Sequence, residues 1–392
     1  MLPLEGIKVV SLEQAVAAPF ASRQLADLGA RVIKVERPEV GDFARYYDHT
    51  VKGMSSHFVW INRSKESLTL DLKADAGKEI FTDLIKDADV VIQNLAPGAF
   101  DRLGFSDSQL HKINNQLIVC HISGYGSNGP YVNKKAYDLL IQCESGLLSV
   151  TGTENEPSKT GISAADIAAG MYAYSGILSS IIKRFKTGKG EILDISMLEA
   201  LGEWMGFPLH YSLYGGKEPK RTGAQHATIY PYGPFQVSED EQVFFAIQNE
   251  REWKVFCENI LKKPDLASHT MYNSNSNRVK NKDTLKKEIE QITMQKNLSE
   301  MMQELEDNKI ANAQLKDMKQ FANHEQLKSR KRWMNVQTPE GDIQSLLPPT
   351  AKSEQDINNS AIPEIGEHTS QILEELNISE SNIEKLRNNK II

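Results

Sequence analysis

Short apolar runs alternate with amphipathic stretches through the first third of the chain. IKVVSL at 7–12, RVIKVE at 31–36, VVIQN at 90–94 and LIVCHI at 117–122 are near-continuous apolar runs of strand length, the pattern of strands buried on both faces. Helical periodicities lie between them. From Pro19 to Leu28, the residues Phe20, Leu25 and Leu28 share a face and Gly29 follows as a stop; Ile80, Phe81, Leu84, Ile85 and Ala88 mark another helix. Strands alternating with helices predict a Rossmann-like parallel sheet covered on both sides, so the fold class is α/β.

The periodicity changes further along. After Asp166 the run IAAGMYAYSGILSSII is small and apolar almost all round, and Lys183, Arg184, Lys186, Gly188 and Gly190 close it. This predicts a helix buried on every side and shorter than a membrane span. Residues 258–330 are rich in Lys, Asn, Gln and Glu. There DTLKKEIEQI and NLSEMMQELE read as helices, with Asp283 as an N-cap and Leu285, Ile289 and Ile292 as a narrow apolar stripe. The tail from Pro363 is helical again and suited to docking on the first domain. The predicted organisation is a large domain over 1–200, rejoined by 340–392, and a smaller α+β domain over 225–330, with linkers at 201–224 and 331–339.

A length of 392 residues agrees with two domains. The net charge of −7 and the lack of a basic stripe with interleaved aromatics argue against a nucleic-acid partner. Cys120, Cys143 and Cys257 have neither paired nor metal-type spacing, as expected in a reducing cytoplasm. The opening MLPLEGIKVVSLEQ has no basic stretch followed by an apolar one, so no leader is read there. The expectation is a cytoplasmic protein without a nucleic-acid, membrane or metal partner.

Candidate chemistry centres on Asp166. In the first turn of an apolar helix a carboxylate meets unpaired N–H groups and the positive dipole end, and both favour its ionised form. An ionised carboxylate beside an apolar interior can act as a nucleophile; the plainer role is a helix cap. GYGSNG at 124–129 matches the letters of a dinucleotide fingerprint, but Pro130, Tyr131 and VNKK follow where a helix should open. His226 and His368 are single histidines without ligand spacing, which favours structural or substrate-orienting roles over metal.

Several blocks, in order and nearly end to end, resemble the class III CoA-transferases, a family that also includes the α-methylacyl-CoA racemases. They are LEGIKVVSLEQAVAAPFASRQLADLGARVIKVERPEVGD, NRSKESLTLDLK, NLAPGAFDRLGF, GYGSNGP, AYDLLIQCESGLLSVTG, ADIAAGMYAYSGILSSIIKRFKTGKG, RTGAQHATIYPYG and GEHTSQIL. The resemblance implies an interlocked homodimer that takes coenzyme A thioesters as substrates and holds no permanent cofactor. It places Asp166 as the nucleophile, acting through a mixed anhydride and an aspartyl-CoA thioester. It also implies a CoA pocket of Val16, Arg37, Leu72, Lys73, Asn94, Leu95, Arg102, Lys135 and Tyr137. Tyr137 stands where the racemases carry a histidine, which favours transfer over racemisation, although Glu250 lies near a racemase glutamate. Val16 replaces a glutamine of some transferases, and a four-glycine loop is missing. Arg221 and His226 are the residues expected to meet the second carboxylate of a small dicarboxylic acid. A racemase or epimerase and a non-catalytic CoA-binding homologue are the other readings.

Overall fold

The apolar runs of the first third become strands β1 (Lys8–Leu12), β2 (Arg31–Glu36), β4 (Val90–Gln93) and β5 (Ile118–Ser123), joined by β3 (Lys65–Thr69) and β6 (Ile192–Ser196). The computed structural model describes residues 1–392, and in it these strands form one parallel sheet in the order β3-β2-β1-β4-β5-β6. β1 is central, with Val9 beside Val32 on one side and Val90 on the other. β3 escaped the apolar pattern because it carries Lys65 and Glu66, and β6 because, at the sheet edge, Asp194 and Ser196 interrupt its apolar residues.

Helices α1 (Ala17–Asp27), α2 (Asp75–Lys86), α3 (Asp138–Glu144), α4 (Ala164–Thr187) and α5 (Met197–Trp204) belong to the same unit. α1 begins ahead of the predicted Pro19, which sits in the first turn, where a missing N–H costs nothing. The predicted face of α2 packs with Leu68, Val91, Phe100 and Phe105. α4 lies against α1 at Gly170, where a Cβ would stand 2.7 Å from the Ala17 carbonyl oxygen. α4 departs from expectation in two ways. At 24 residues it is long and apolar enough to cross a membrane, yet Ala168, Ala169, Ala173 and Ile177 are buried inside the unit. It is also not buried on every side, because Met171, Ile182 and Phe185 are exposed.

Two compact units divide the chain. One comprises Met1–Gly146, Thr160–Phe207 and Gln326–Ile392; the other comprises Leu147–Lys159 and Pro208–Glu325. Residues 147–159, placed with the large domain from sequence, belong to the second unit. There Gly223 donates its N–H to the Gly152 carbonyl, and Arg221 donates to the carbonyls of Thr153 and Glu154.

The second unit has an antiparallel sheet of β7 (Tyr232–Gln236), β8 (Gln242–Ala246) and β9 (Ala311–Gln314), with helices α6 (Lys282–Thr293) and α7 (Leu298–Asp307). Phe235, Phe245, Trp253, Phe256, Leu285 and Ile289 form its core. The N-cap of α6 is Asn281, and Asp283 sits one step inside the first turn, where it meets the same helix dipole.

In the first unit the chain ends with a hairpin of β10 (Trp333–Val336) and β11 (Ile343–Leu346), then α8 (Thr369–Glu375) and α9 (Glu380–Asn388). Ile372, Leu373 and Ile383 from this tail pack in the cluster that holds Leu68 and Leu70.

Candidate active site

In an open parallel sheet the loops after the strands meet at one edge, and a crevice opens where the strand order reverses. Here that point lies between β1 and β4. Asn94 ties the two loops: Gln14 N–H donates to Asn94 Oδ1 at 2.9 Å, and Asn94 Nδ2 donates to the Gln14 carbonyl at 2.9 Å. The side chain of Asn94 is thus committed to the protein, whatever its backbone meets. Val16 follows β1, Arg37 β2, Leu72 and Lys73 β3, and Asn94 and Leu95 β4, so all of these expected CoA contacts lie along one edge.

Four basic side chains near this edge are exposed. Arg37 makes only a 3.4 Å contact with the Gly41 carbonyl, and Arg102 reaches the Pro97 carbonyl at 3.3 Å. Lys73 and Lys135 are exposed as well. Lys134, by contrast, pairs with Glu144 and lies over the ring of Tyr131. Exposed cations without carboxylate partners suit a ligand carrying several phosphates.

Beneath the edge lies a buried charge cluster absent from the sequence reading. Glu13 accepts from Lys65 Nζ at 2.6 Å and from the hydroxyls of Ser11 and Ser22 at 2.5 Å each. Lys34 donates to Asp42 at 2.7 Å, and the other Asp42 oxygen accepts from the N–H groups of Ala15 and Ala44. Glu36 pairs with Arg45 at 2.7 Å. Burial works to raise the Glu13 carboxyl, but Lys65 and Lys34 overcome it and hold the group down at about 2. Burial pulls Lys65 down to about 7, whereas Asp42, Glu13 and Glu36 raise Lys34 despite its burial. The cluster pins Ala15, which has a φ of 60°, immediately before Val16, the N-cap of α1.

Asp166 occupies the first turn of α4, half-buried, as its sequence position predicts. Its electrostatics do not follow the prediction. The expected helix-end donors are taken by a neighbour: Asp138 Oδ1 accepts from the N–H groups of Ala165 at 2.8 Å and Asp166 at 3.2 Å. Burial, and after it the Asp138 charge, push the Asp166 carboxyl up from 3.8 to about 7. Tyr47 also senses this charge, its hydroxyl being pushed up to about 12 by burial, Asp42 and Asp166. Tyr137, the N-cap of α3, is 67% exposed and so open to a ligand. Asp138 and Tyr47 were missed from sequence. The available signal was the acidic residue directly after Tyr137 at a helix start.

Arg221 and His226 share a loop in the second unit. Arg221 is held by the two carbonyls named above. His226 stacks on Tyr232 and accepts at Nδ1 from the N–H groups of Thr228 and Ile229, which leaves Nε2 as its donor. Glu250 is gripped by the buried Arg278 at 2.7 and 3.0 Å, and this pairing, against a little burial, lowers its carboxyl. A carboxylate held in that fork is an anchor and a poor base. Glu250→Gln is therefore expected to keep CoA transfer within about threefold of the parent, whereas Arg278→Ala should destabilise the second unit by roughly 3 kcal/mol, because it empties a buried position and strands the carbonyls of Tyr230 and Tyr272; activity assays and thermal unfolding check both.

The sequence model for CoA-transferase family III matches residues 4–369. Human succinyl-CoA:glutarate CoA-transferase is 32% identical over 378 residues, covering 95% of this chain and 86% of that one. Succinate–glutarate CoA-transferase of Agrobacterium fabrum is 30% identical, covering 95% and 96%. Acetyl-CoA:oxalate CoA-transferase of Acetobacter aceti is 36% identical over 290 residues, covering 74% of each chain. Among solved structures, a CAIB/BAIF family protein from Brucella suis superposes with a TM-score of 0.84 at 33% identity, covering 96% of this chain and 99% of that one.

Proposed function

The chain belongs to CoA-transferase family III, and from that premise we propose that Asp166 carries CoA between an acyl-CoA and a small dicarboxylic acid. The enzyme is a CoA-transferase. The succinyl-CoA:glutarate relatives, similar over almost the whole chain, favour succinyl-CoA as donor and a four- to six-carbon dicarboxylate as acceptor. The observation that carries the nucleophile assignment is the half-buried Asp166 carboxylate, with raised proton affinity, at the start of the apolar helix.

An Asp166 oxygen attacks the thioester carbonyl, the C–S bond breaks, and CoA thiolate leaves a mixed anhydride. The thiolate then attacks the Asp166 carbonyl and expels the donor carboxylate, forming an aspartyl-CoA thioester. The acceptor carboxylate attacks that thioester, releasing thiolate and forming a second anhydride. Thiolate attack on the acceptor's acyl carbonyl then frees Asp166. Thioester is exchanged for thioester, so no step consumes ATP or changes a redox state. Arg37, Lys73, Arg102 and Lys135 bind CoA phosphates, and Tyr137 lines the thioester end. The exposed Met171, Ile182 and Phe185 of α4 provide apolar surface for a second copy in a homodimer. Arg221 and His226 Nε2 are the proposed partners of the acceptor's second carboxylate.

Attack requires the ionised carboxylate. Formation of the first adduct should rise with pH and level off above about 7, as single-turnover rates across pH will read. The linkage has the opposite sense. Because the folded value is raised, the Asp166 contribution to stability is fully present below 3.8 and is lost as pH rises through about 7. Asp166→Asn should thus gain stability over the parent as pH increases, by on the order of 1–3 kcal/mol above neutrality; paired thermal melts at several pH values test this.

The assignment is tested by mixing the enzyme with succinyl-CoA, trapping with hydroxylamine, and mapping the modified peptide by mass spectrometry, followed by glutarate as acceptor. A CoA-sized adduct on the protein before trapping, a hydroxamate on the Asp166 peptide once hydroxylamine has displaced the CoA thiolate, and release of glutaryl-CoA are expected. Solvent deuterium entering the α-carbon of an acyl-CoA panel, with no adduct, would replace this reading by the racemase.

A further inference from the structure

Asp138 stands directly after Tyr137 in the first turn of α3 and is half-buried. Its Oδ1 accepts from the N–H groups of Ala165 and Asp166, and its Oδ2 accepts from Gln142 Nε2 at 2.7 Å. Gln142 is fully buried, and its Oε1 accepts from the N–H of Thr160 at 3.1 Å. Two side chains one turn apart on α3 therefore hold both ends of the segment that leads into α4.

We propose that Asp138 is the positioning residue for Asp166: by taking the helix-end amides itself, it keeps the Asp166 carboxylate free of backbone donors and so sets how readily that carboxylate becomes acylated. The inference rests on the nucleophile reading above and deepens it. A carboxylate that accepted those amides would be stabilised as the anion and would be a weaker nucleophile. With the amides capped by a second negative charge, the free anion is raised in energy and the covalent state is favoured by comparison. For Asp166 carboxylate plus acyl-CoA giving aspartyl-CoA thioester plus free acid anion, each unit of added proton affinity in Asp166 moves the equilibrium about tenfold toward the enzyme thioester.

No other charge near Asp166 explains this. From the stretch after β2 the facing group is the neutral Tyr47 hydroxyl. Arg23 and Asp27 of α1 bond each other. Glu199 and Glu203 of α5 are exposed. His121 of β5 pairs with Asp107, and Asp194 of β6 accepts from Ser127. Burial is the larger cause of the raised Asp166 carboxyl, and Asp138 is the charge that adds to it.

The test uses D138N, which keeps one acceptor oxygen for the amides but removes the charge. With succinyl-CoA, its acid limb for adduct formation should move down by about one pH unit, and the trapped aspartyl-CoA fraction should fall about tenfold, with CoA affinity unchanged. An unmoved limb would reduce Asp138 to a helix cap and overturn the proposal. A second readout needs no turnover: the pH-dependent melting difference between Asp166 and D166N proteins, measured in the wild-type and D138N backgrounds. The difference should shift to lower pH in D138N. That shift in a protein showing no adduct would reject the nucleophile reading while upholding the electrostatic coupling; no shift would reject the coupling itself. Should D138N fail to fold, Q142A gives the same two readings, because it loosens Asp138 without touching its charge and should shift both in the same direction by a smaller amount.

Discussion

Replacing Asp166 by alanine is expected to lower CoA transfer by at least about 10³-fold while leaving the protein folded and able to bind CoA. The size follows from the chemistry. Without the carboxylate no mixed anhydride and no enzyme thioester can form, so both half-reactions lose their covalent route. The fold should tolerate the change because Asp138, not Asp166, caps the amides at the start of α4. Removing a half-buried carboxylate with raised proton affinity also removes a charge that burial disfavours. Asp166→Glu is the finer probe. It keeps the carboxylate but moves it by a methylene, and a misplacement of about 1 Å costs on the order of 10²-fold. Product formation by chromatography, CoA affinity by calorimetry and melting temperature together decide the matter. An alanine variant keeping a tenth of parental turnover would remove Asp166 from the mechanism.

The second large effect is on stability. Glu13→Gln is expected to destabilise the first unit by about 3–5 kcal/mol, because Lys65 is left as a buried cation without its anion, whereas Lys34 keeps Asp42. For a unit of this size that corresponds to roughly 6–10 °C in melting temperature. Glu13 lies well below its unfolded value, so its contribution is present above 4.5 and is lost as pH falls toward about 2. The variant should therefore show a flatter loss of stability on the acid side. Removing Lys65 in the same chain should restore part of the loss, since the orphaned cation, not the missing packing, is the cost. Through Ala15 and Asp42 the same cluster holds the turn ahead of Val16, so the KM for acyl-CoA should rise as well. A Glu13→Gln protein within 1 kcal/mol of the parent would show the cluster to be dispensable.

Much of the fold was legible in the chain because the strands β1, β2, β4 and β5 lie inside a sheet covered on both faces and so read as continuous apolar runs. β3 was hidden for an opposite reason. Its Lys65 is fully buried, and a lysine signals solvent unless its partner, here 52 residues earlier in Glu13, is already known. The start of α4 and the position of Asp166 were legible from small apolar residues and a first-turn acid. The proton affinity of that acid was read in the wrong direction, because helix-end amides favour the anion only when no other carboxylate has taken them.

By itself the sequence determined the parallel α/β class and the first-turn position of Asp166, since periodicity and local helix signals act over a few neighbouring residues, and the family resemblance made that residue the candidate nucleophile. The tertiary structure alone decided which charges are compensated: Glu13 with Lys65 and Lys34, Glu250 with Arg278, and Asp138 over the amides of Asp166. Burial and distance set the sign and size of an electrostatic interaction, and both arise only when segments far apart in the chain are folded against one another.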